Sequence, residues 1–373
     1  MPERPLHVGL VECASALTGS VASVLHIARV LEGQVHFSWA SPPNPDLSSK
    51  VERWTPLDAP MPRKQLRTIV TYPTSLVYQA ARLARWAQRE RLDVLHINDF
   101  YNLVGVVAKP LLGNIPLVYH VRLLPDAYLR PVWRPMVRLV SSLADRVLCV
   151  SRAVQDALPS PERSVVLPDS MPVPEVPRGP ASPQGRPLRV LVLSNFVPGK
   201  GQDLALAAFR RALNQAPQLR LRFVGGDLGQ PRNRAFREAL RRRVLAWGLE
   251  DRVEFSGFTP DPGAEYRAAD MVLHLSESES FSMVCLEAMM YGVPLIASDC
   301  GGPRELFVHG QSGLLVPNRG VDDAASALVR LAQDRALRDA LGRAAREEAI
   351  RRFAVQGAAA RLLSVYRELT GTL

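Results

Sequence analysis

The sequence predicts an α/β protein of two doubly wound domains facing a central cleft. Three observations lead there. Short runs rich in Val, Leu and Ile alternate with amphipathic stretches, the pattern of parallel strands covered by helices on both faces. The chain has 373 residues, which at roughly 150 per domain suits two domains. Midway, the alternation stops in a proline-dense stretch, residues 168–187, and then restarts. Proline denies both helix and central strand, so this stretch reads as a linker.

Taken in order, the first-half strands are expected at His7–Glu12, Val35–Trp39, Asp93–Ile97, Leu117–His120 and Arg146–Val150, with helices such as Ser20–Leu31 and Ser75–Arg91 between them. A further short strand, Ser164–Leu167, precedes the linker. Beyond it, Leu188–Ser194 is an apolar run that reads as a buried strand. Gln202–Asn214 reads as a helix with Leu204, Ala207, Ala208 and Leu213 on its apolar side. Strands follow at Leu219–Val224, Val253–Ser256, Met271–Leu275, Pro294–Ala297 and Gly313–Val316. The expected division is an N-terminal domain over 1–167, the linker over 168–187, a C-terminal domain over 188–352 and a terminal helix over 353–373. Ligands of open parallel sheets bind outside the carboxyl ends of the strands, so the chemistry belongs in the loops that follow them.

Composition narrows the function. Hydrophobic residues make up 47% and charged residues 22%, a globular balance that excludes disorder and collagen-like chains. No apolar run approaches the ~20 residues of a membrane span, and the first strand begins too early to leave room for a leader. Cys13, Cys149, Cys285 and Cys300 are scattered, without metal-ligand spacing or a disulfide framework. A reduced, cytoplasmic setting is the expectation. The net charge of +10 divides into +6 over 1–187 and +4 over 188–373, so it is not a tail. Locally, Arg63 to Arg91 holds seven basic residues and one acid. Arg130, Arg134 and Arg138 share one helix face. Such faces suit an anionic leaflet on the inner side of a membrane or plain water. No nucleic-acid module accompanies the charge.

The most informative segment is 276–317. A strand ends near Leu275, an acidic, serine-rich loop follows, and a helix begins near Ser282, a suitable N-cap, with Gly292 just past its end. Its first amides, around Met283 and Val284, are unpaired donors that favour a phosphate. Glu279 lies just before the helix and Glu287 inside it. A carboxylate accepts two hydrogen bonds from a vicinal diol, which suits a ribose and a hexose either side of a diphosphate. For a lone pair of glutamates, a dipole-favouring acid and a solvent-facing helix Glu would be the preferred reading.

The surrounding residues decide between these. The Glu279-x7-Glu287 spacing, Glu287-Ala288-Met289, Gly292-Val293-Pro294, Gly301-Gly302-Pro303-Arg304-Glu305 and Gly313-Leu314-Leu315-Val316-Pro317 together resemble the retaining GT-B glycosyltransferases of family 4, the group 1 glycosyl transferases. The resemblance implies the GT-B fold of two Rossmann-like domains. It also implies that Glu279 contacts the transferred sugar and Glu287 holds the nucleotide ribose, while Phe281, Ser282, Met283 and Val284 act mainly through main chain.

Ser194 to Gly201 is similar to the family's diphosphate loop. Lys200 matches its lysine, but Asn195 stands where an arginine is usual, and Arg304 or another arginine is the candidate substitute. Thr18-Gly19-Ser20 resembles the glycine loop that approaches donor phosphate and sugar, His120 the active-site histidine, and Phe258-Thr259 the nucleobase loop. Ala144 to Ser151 also matches a family signature, whereas Asp169-Ser170 stands where Asn-Gly is common. Arg351–Leu373 resembles the helix that packs back on the first domain.

By that resemblance the chain moves a hexose from a nucleotide-diphosphate sugar, UDP- or GDP-linked, to the hydroxyl of a glycan, lipid-linked or small-molecule acceptor, with retention. His120, Lys200 and Glu279 are then the catalytic group, glycan or glycolipid biosynthesis the setting, and no cofactor is expected. No metal is expected either, because the Asp-x-Asp triplet of metal-dependent transfer is absent. Gly199-Lys200-Gly201 lacks the hydroxyl of a P-loop, and residues 224–229 fail the dinucleotide fingerprint. Two alternatives stay open: a nucleotide-sugar epimerase of the same fold, and a nucleotide-sugar-binding protein that has lost catalysis.

Overall fold

A computed structural model describes residues 4–14, 18–58, 66–125, 130–176 and 186–372. It forms two compact units, Met1–Pro172 with Phe353–Leu373, and Val173–Arg352.

The first unit opens with β1 (Leu6–Val11), α1 (Gly19–Val30), β2 (Val35–Ser41), α2 (Pro45–Ser48), β3 (Arg53–Pro56), α3 (Leu66–Arg89), β4 (Val94–Ile97), α4 (Val104–Ala108) and β5 (Leu117–Val121). It continues with α5 (Arg130–Leu143), β6 (Arg146–Cys149), α6 (Arg152–Asp156) and β7 (Ser164–Val166). The seven strands form one parallel sheet ordered β3-β2-β1-β4-β5-β6-β7. The strand β3 was not expected from the sequence. It is a four-residue edge strand ending in proline, and an edge tolerates both proline and weak hydrophobicity. The helix expected from Ser75 begins at Leu66 and runs through Pro73.

The second unit contains β8 (Leu188–Leu193), α7 (Gln202–Ala212), β9 (Leu219–Val224), α8 (Pro231–Ala246), β10 (Val253–Ser256), α9 (Pro262–Ala268), β11 (Met271–His274) and α10 (Met283–Met290). After these come β12 (Leu295–Ser298), α11 (Pro303–Leu306), β13 (Leu314–Val316), α12 (Val321–Gln333) and α13 (Arg335–Phe353). Its parallel sheet runs β10-β9-β8-β11-β12-β13. The core lies between sheet and helices, with Phe209, Phe223, Leu240, Leu273 and Leu328 among its buried residues.

The end of the chain, expected as a terminal helix over 353–373, follows α13, which stops at Phe353. After α13, α14 (Val355–Thr370) belongs to the first unit, where Leu362 and Tyr366 pack with Val8, Val94 and Val118. Part of the stretch read as linker is also built into that unit. Ser170 N–H donates to Ser23 Oγ at 3.0 Å, Asp169 is buried, and Met171 bridges to Ala354. Residues 177–185 lie outside the described residues. In both sheets the strand order reverses beside the first strand, β1 next to β4 and β8 next to β11. Parallel sheets open a ligand crevice at such a reversal, outside the strands' carboxyl ends.

Candidate active site

In the second unit the crevice is made by the loops after β8 and β11. The first runs from Ser194 to Gly201 and is clamped onto the end of β11. Glu277 N–H donates to the Gly199 carbonyl at 2.9 Å, and the Ser276 hydroxyl to the same oxygen at 3.3 Å. Gly201 makes the clamp fit. It has φ of 77°, and a Cβ there would lie 1.9 Å from the Leu275 carbonyl oxygen, so no other residue is accommodated. The loop thereby presents Lys200, whose Nζ is 2.7 Å from Glu279 Oε1.

Glu279 is held by its own main chain: its N–H donates to the Cys300 carbonyl at 3.2 Å, and its carbonyl accepts from Gly302 N–H at 2.7 Å. Gly302 is needed for that approach, since a Cβ on it would lie 2.4 Å from Phe281 Cα. Behind the carboxylate stands His274, at the end of β11, with Nε2 3.4 Å from Glu279 Oε1 and 3.2 Å from Ser282 Oγ. Burial raises the Glu279 pKa, but the hydrogen bond from His274 and the charge of Lys200 outweigh it and bring the group down to about 2. Glu279 is therefore an anion at any physiological pH.

As expected, Ser282 caps α10: its Oγ accepts from Cys285 N–H at 3.3 Å. Its φ of 91° is unusual for a non-glycine residue and is the kind of strain found where backbone is aimed at a ligand. The first amides of α10, at Met283 and Val284, have no carbonyl of their own helix to meet. Phe281 is buried under the same turn. One helical face further on, Glu287 Oε2 accepts from the Tyr266 hydroxyl at 2.8 Å, and Tyr266 stacks on Tyr291 with centroids 5.4 Å apart. Burial pushes the Glu287 carboxyl up, and the Tyr266 hydrogen bond opposes this. The residue is partly buried and oriented, not a freely solvated helix Glu.

Asn195 lies at the rim, exposed, with Oδ1 accepting from Gly226 N–H at 3.1 Å. A Cβ on Gly226 would stand 3.8 Å from Phe258 Cβ, so Asn195, Gly226 and Phe258 are neighbours. Phe258 is 79% exposed, an unusual place for a large ring, and Thr259 Oγ1 accepts from Asp261 N–H at 3.2 Å. The candidate substitute for the missing arginine is engaged elsewhere: Arg304 Nε is 2.6 Å from Asp299 Oδ1.

His120, Gly19 and Ser20 belong to the first unit. Gly19 and Ser20 begin α1, capped by Thr18, whose Oγ1 lies 2.8 Å from Ser20 Oγ. His120, at the end of β5, is buried beside a polar network that the sequence did not reveal. Arg122 contacts His120 Nδ1 at 3.1 Å, Asn98 Oδ1 at 2.7 Å and Asp169 Oδ1 at 2.5 Å. Asn98 in turn donates to Glu12. Burial pushes the neighbouring Asp99 carboxyl up to about 8, against the pull of Arg122.

His274, Tyr266, Arg122, Asn98 and Glu12 were all missed. The available signal was slight: a lone polar residue inside an apolar strand run, such as His274 in Met271–Leu275 or His120 in Leu117–Val121. Among the described residues no cluster of His, Cys, Asp and Glu is gathered as for a metal ion, and no helix is long and apolar enough to cross a membrane.

Comparison with known proteins agrees with this architecture. The family model for glycosyl transferases group 1 matches residues 178–348, and that for glycosyltransferase family 4 matches residues 17–169. A D-inositol 3-phosphate glycosyltransferase of Kribbella flavida is 38% identical over 180 residues, 47% of this chain and 42% of that protein. The chain spans less than half the length of the curated relatives it matches. Among solved structures, Anabaena HepE in complex with UDP and glucose superposes with a TM-score of 0.80 at 22% identity, covering 96% of this chain and 98% of that one. Sucrose-phosphate synthase of Thermosynechococcus elongatus gives 0.78 at 22%, covering 99% and 100%. With the family 4 model matching most of the first unit and the group 1 model nearly all of the second, the chain belongs to the group 1 glycosyltransferases and has the GT-B fold.

Proposed function

We propose that the protein transfers a hexose from a nucleotide-diphosphate sugar to an acceptor hydroxyl, with retention at the anomeric carbon and without a metal ion. The observation that carries this reading is the meeting of Lys200, Glu279 and the uncapped amides of α10 at the β8–β11 reversal. Bond breaking at the anomeric carbon leaves negative charge on the departing diphosphate. Lys200 and the helix start supply fixed positive charge and dipole where that charge develops. Without ligand, Lys200 pairs with Glu279, and a phosphate takes over the ammonium when it binds. Glu279 then accepts from sugar hydroxyls, and Glu287, oriented by Tyr266, accepts from the ribose. Asn195 offers its amide donors where an arginine is usual, and exposed Phe258 offers a face for the base. HepE was solved with UDP and with UDP-glucose, which favours a uridine donor here.

The acceptor is a glycan, a lipid-linked glycan or a small molecule, met in the cytoplasm. Exposed Arg85, Arg89 and Arg91, with Arg134 and Arg138 on α5, support contact with an anionic inner leaflet. The deciding experiment is a thermal-shift panel of UDP, GDP, ADP and their sugar conjugates, with and without EDTA. A selective rise for one nucleotide, unchanged by EDTA and weakened by Glu287→Ala, is expected. No shift with any nucleotide would sink the reading and favour the degenerate binding protein.

A further inference from the structure

An imidazole is an unusual last residue for β11. Met271, Leu273 and Leu275 belong to the core of the second unit. By the two-residue alternation of a strand, His274 faces the opposite side, where it is buried beside the start of α10. A buried ring nitrogen is costly unless it finds a partner. Nε2 finds two: Ser282 Oγ at 3.2 Å and Glu279 Oε1 at 3.4 Å. An ionised carboxylate only accepts, so the hydrogen belongs on Nε2 and lies between the two oxygens. Ser282 is itself tied down, because its Oγ also accepts from Cys285 N–H at 3.3 Å. The first turn of α10 thus fixes the ring, and the ring fixes Glu279.

The second partner of Glu279 is less permanent. Lys200 Nζ lies 2.7 Å from the same oxygen, Oε1, but its side chain is partly in water, and in the proposed reaction a phosphate takes the ammonium. The titratable groups that face the carboxylate from the other packed elements are Cys285 on α10 and Cys300 after β12. Burial pushes both thiols up, Cys300 to about 11, so neither carries charge near neutral pH. Burial also raises the Glu279 pKa, and the His274 hydrogen bond opposes this more strongly than the Lys200 charge does. Once the lysine turns to a phosphate, the histidine is the group left to hold the carboxylate.

We propose that His274 is a positioning residue for sugar transfer: anchored on Ser282, its Nε2 keeps the Glu279 carboxylate aligned and ionised after a phosphate draws Lys200 away. The inference deepens the glycosyl-transfer reading. It rests on that reading for what Glu279 touches, though not for how Glu279 is held.

Two measurements on the full chain test it. The first needs no substrate. Lys200→Met imitates the loss of the ammonium, and difference infrared spectra with ¹³C-labelled glutamate read whether Glu279 is carboxylate or acid, its band identified by loss in Glu279→Gln. At about pH 6, above the ordinary glutamate range, Glu279 should stay ionised in Lys200→Met and be protonated in Lys200→Met/His274→Leu. The second is kinetic, with release of UDP from UDP-glucose as the probe reaction. His274→Leu should lower turnover about ten- to a hundred-fold, the range for losing a hydrogen bond to a charged group, with UDP affinity unchanged. Its rate should fall further as pH drops, because the carboxylate then takes up a proton that the wild type refuses. His274→Gln, whose amide reaches the place of Nε2, should restore rate and pH profile, whereas the shorter His274→Asn should not. An ionised Glu279 in Lys200→Met/His274→Leu overturns the inference. If the leucine variants fail to fold, the Gln and Asn variants in the Lys200→Met background decide, and equal infrared spectra from the two overturn it as well. Failure of the wild type to bind UDP or to release it from UDP-glucose, with the infrared result as expected, counts against the glycosyl-transfer reading instead.

Discussion

In both units the strand order turns around beside the first strand, and in both the loops after the two central strands meet there. They meet differently. In the second unit the contact is Lys200 with Glu279, their side chains 39% and 14% exposed. An ammonium on a flexible stem, partly in water, exchanges one anion for another with little loss. In the first unit the contact runs Glu12–Asn98–Arg122–Asp169, with the Arg122 side chain 4% exposed and its partners fixed on several elements. A guanidinium buried in that way holds a shape and does not exchange partners. One topology thus yields a crevice whose charges are available to a ligand and another whose charges orient a neighbouring ring.

Substitutions can break that contrast. The largest effect is expected from Arg122→Met, which strands Asp169 as a buried, unpaired charge. Urea unfolding should show a loss of about 3–5 kcal/mol, and a loss below about 1 kcal/mol would mean that the first crevice is as adaptable as the second. Lys200→Ala should do the opposite, changing stability by less than about 1 kcal/mol, because the pair is partly exposed, while lowering turnover about a hundred-fold. A destabilised but active Lys200→Ala protein would reverse the assignment of roles.

A pH dependence sharpens the comparison further. Asp99 has its folded pKa raised to about 8, above the ordinary value near 3.9 in an unfolded chain. The folded state then holds a proton that the unfolded state has lost, so Asp99 favours folding fully below about pH 4 and progressively less as pH rises toward 8. Asp99→Asn, which keeps an acceptor for Phe100 N–H, should gain on the wild type as pH increases over that range. Parallel stability curves would contradict a proton on Asp99. The smallest change in stability, under about 0.5 kcal/mol, is expected from Phe258→Ala, because the ring is already in water. Nucleotide affinity should nevertheless fall, measurable by calorimetry, and an unchanged affinity would remove Phe258 from the base site.

How far the sequence reached depended on how local each feature was. The strands Leu219–Val224 and Val253–Ser256 were legible to the residue because each is a compact run bounded by turn residues. β3 was not, since an edge strand needs no apolar run. Ser282 as cap and Gly292 past the end of α10 were legible for the same reason as the inner strands: capping is decided within one turn. The start of α3 was not legible, because the helix continues through Pro73, a residue that locally argues for a stop.

By itself, then, the sequence determined the α/β class, the two alternating halves, the start of α10 and the spacing of Glu279 and Glu287, all set by periodicity and by neighbours a few residues apart. Tertiary structure alone decided that Lys200 faces Glu279 across a sequence separation of 79, that His274 stands behind that carboxylate, and that Tyr266 orients Glu287. The same holds for Arg122, which joins residues from three strand ends. Such contacts follow from strand order and register, which bring distant loops to one end of a sheet, and no local pattern of residue types encodes which loops will meet.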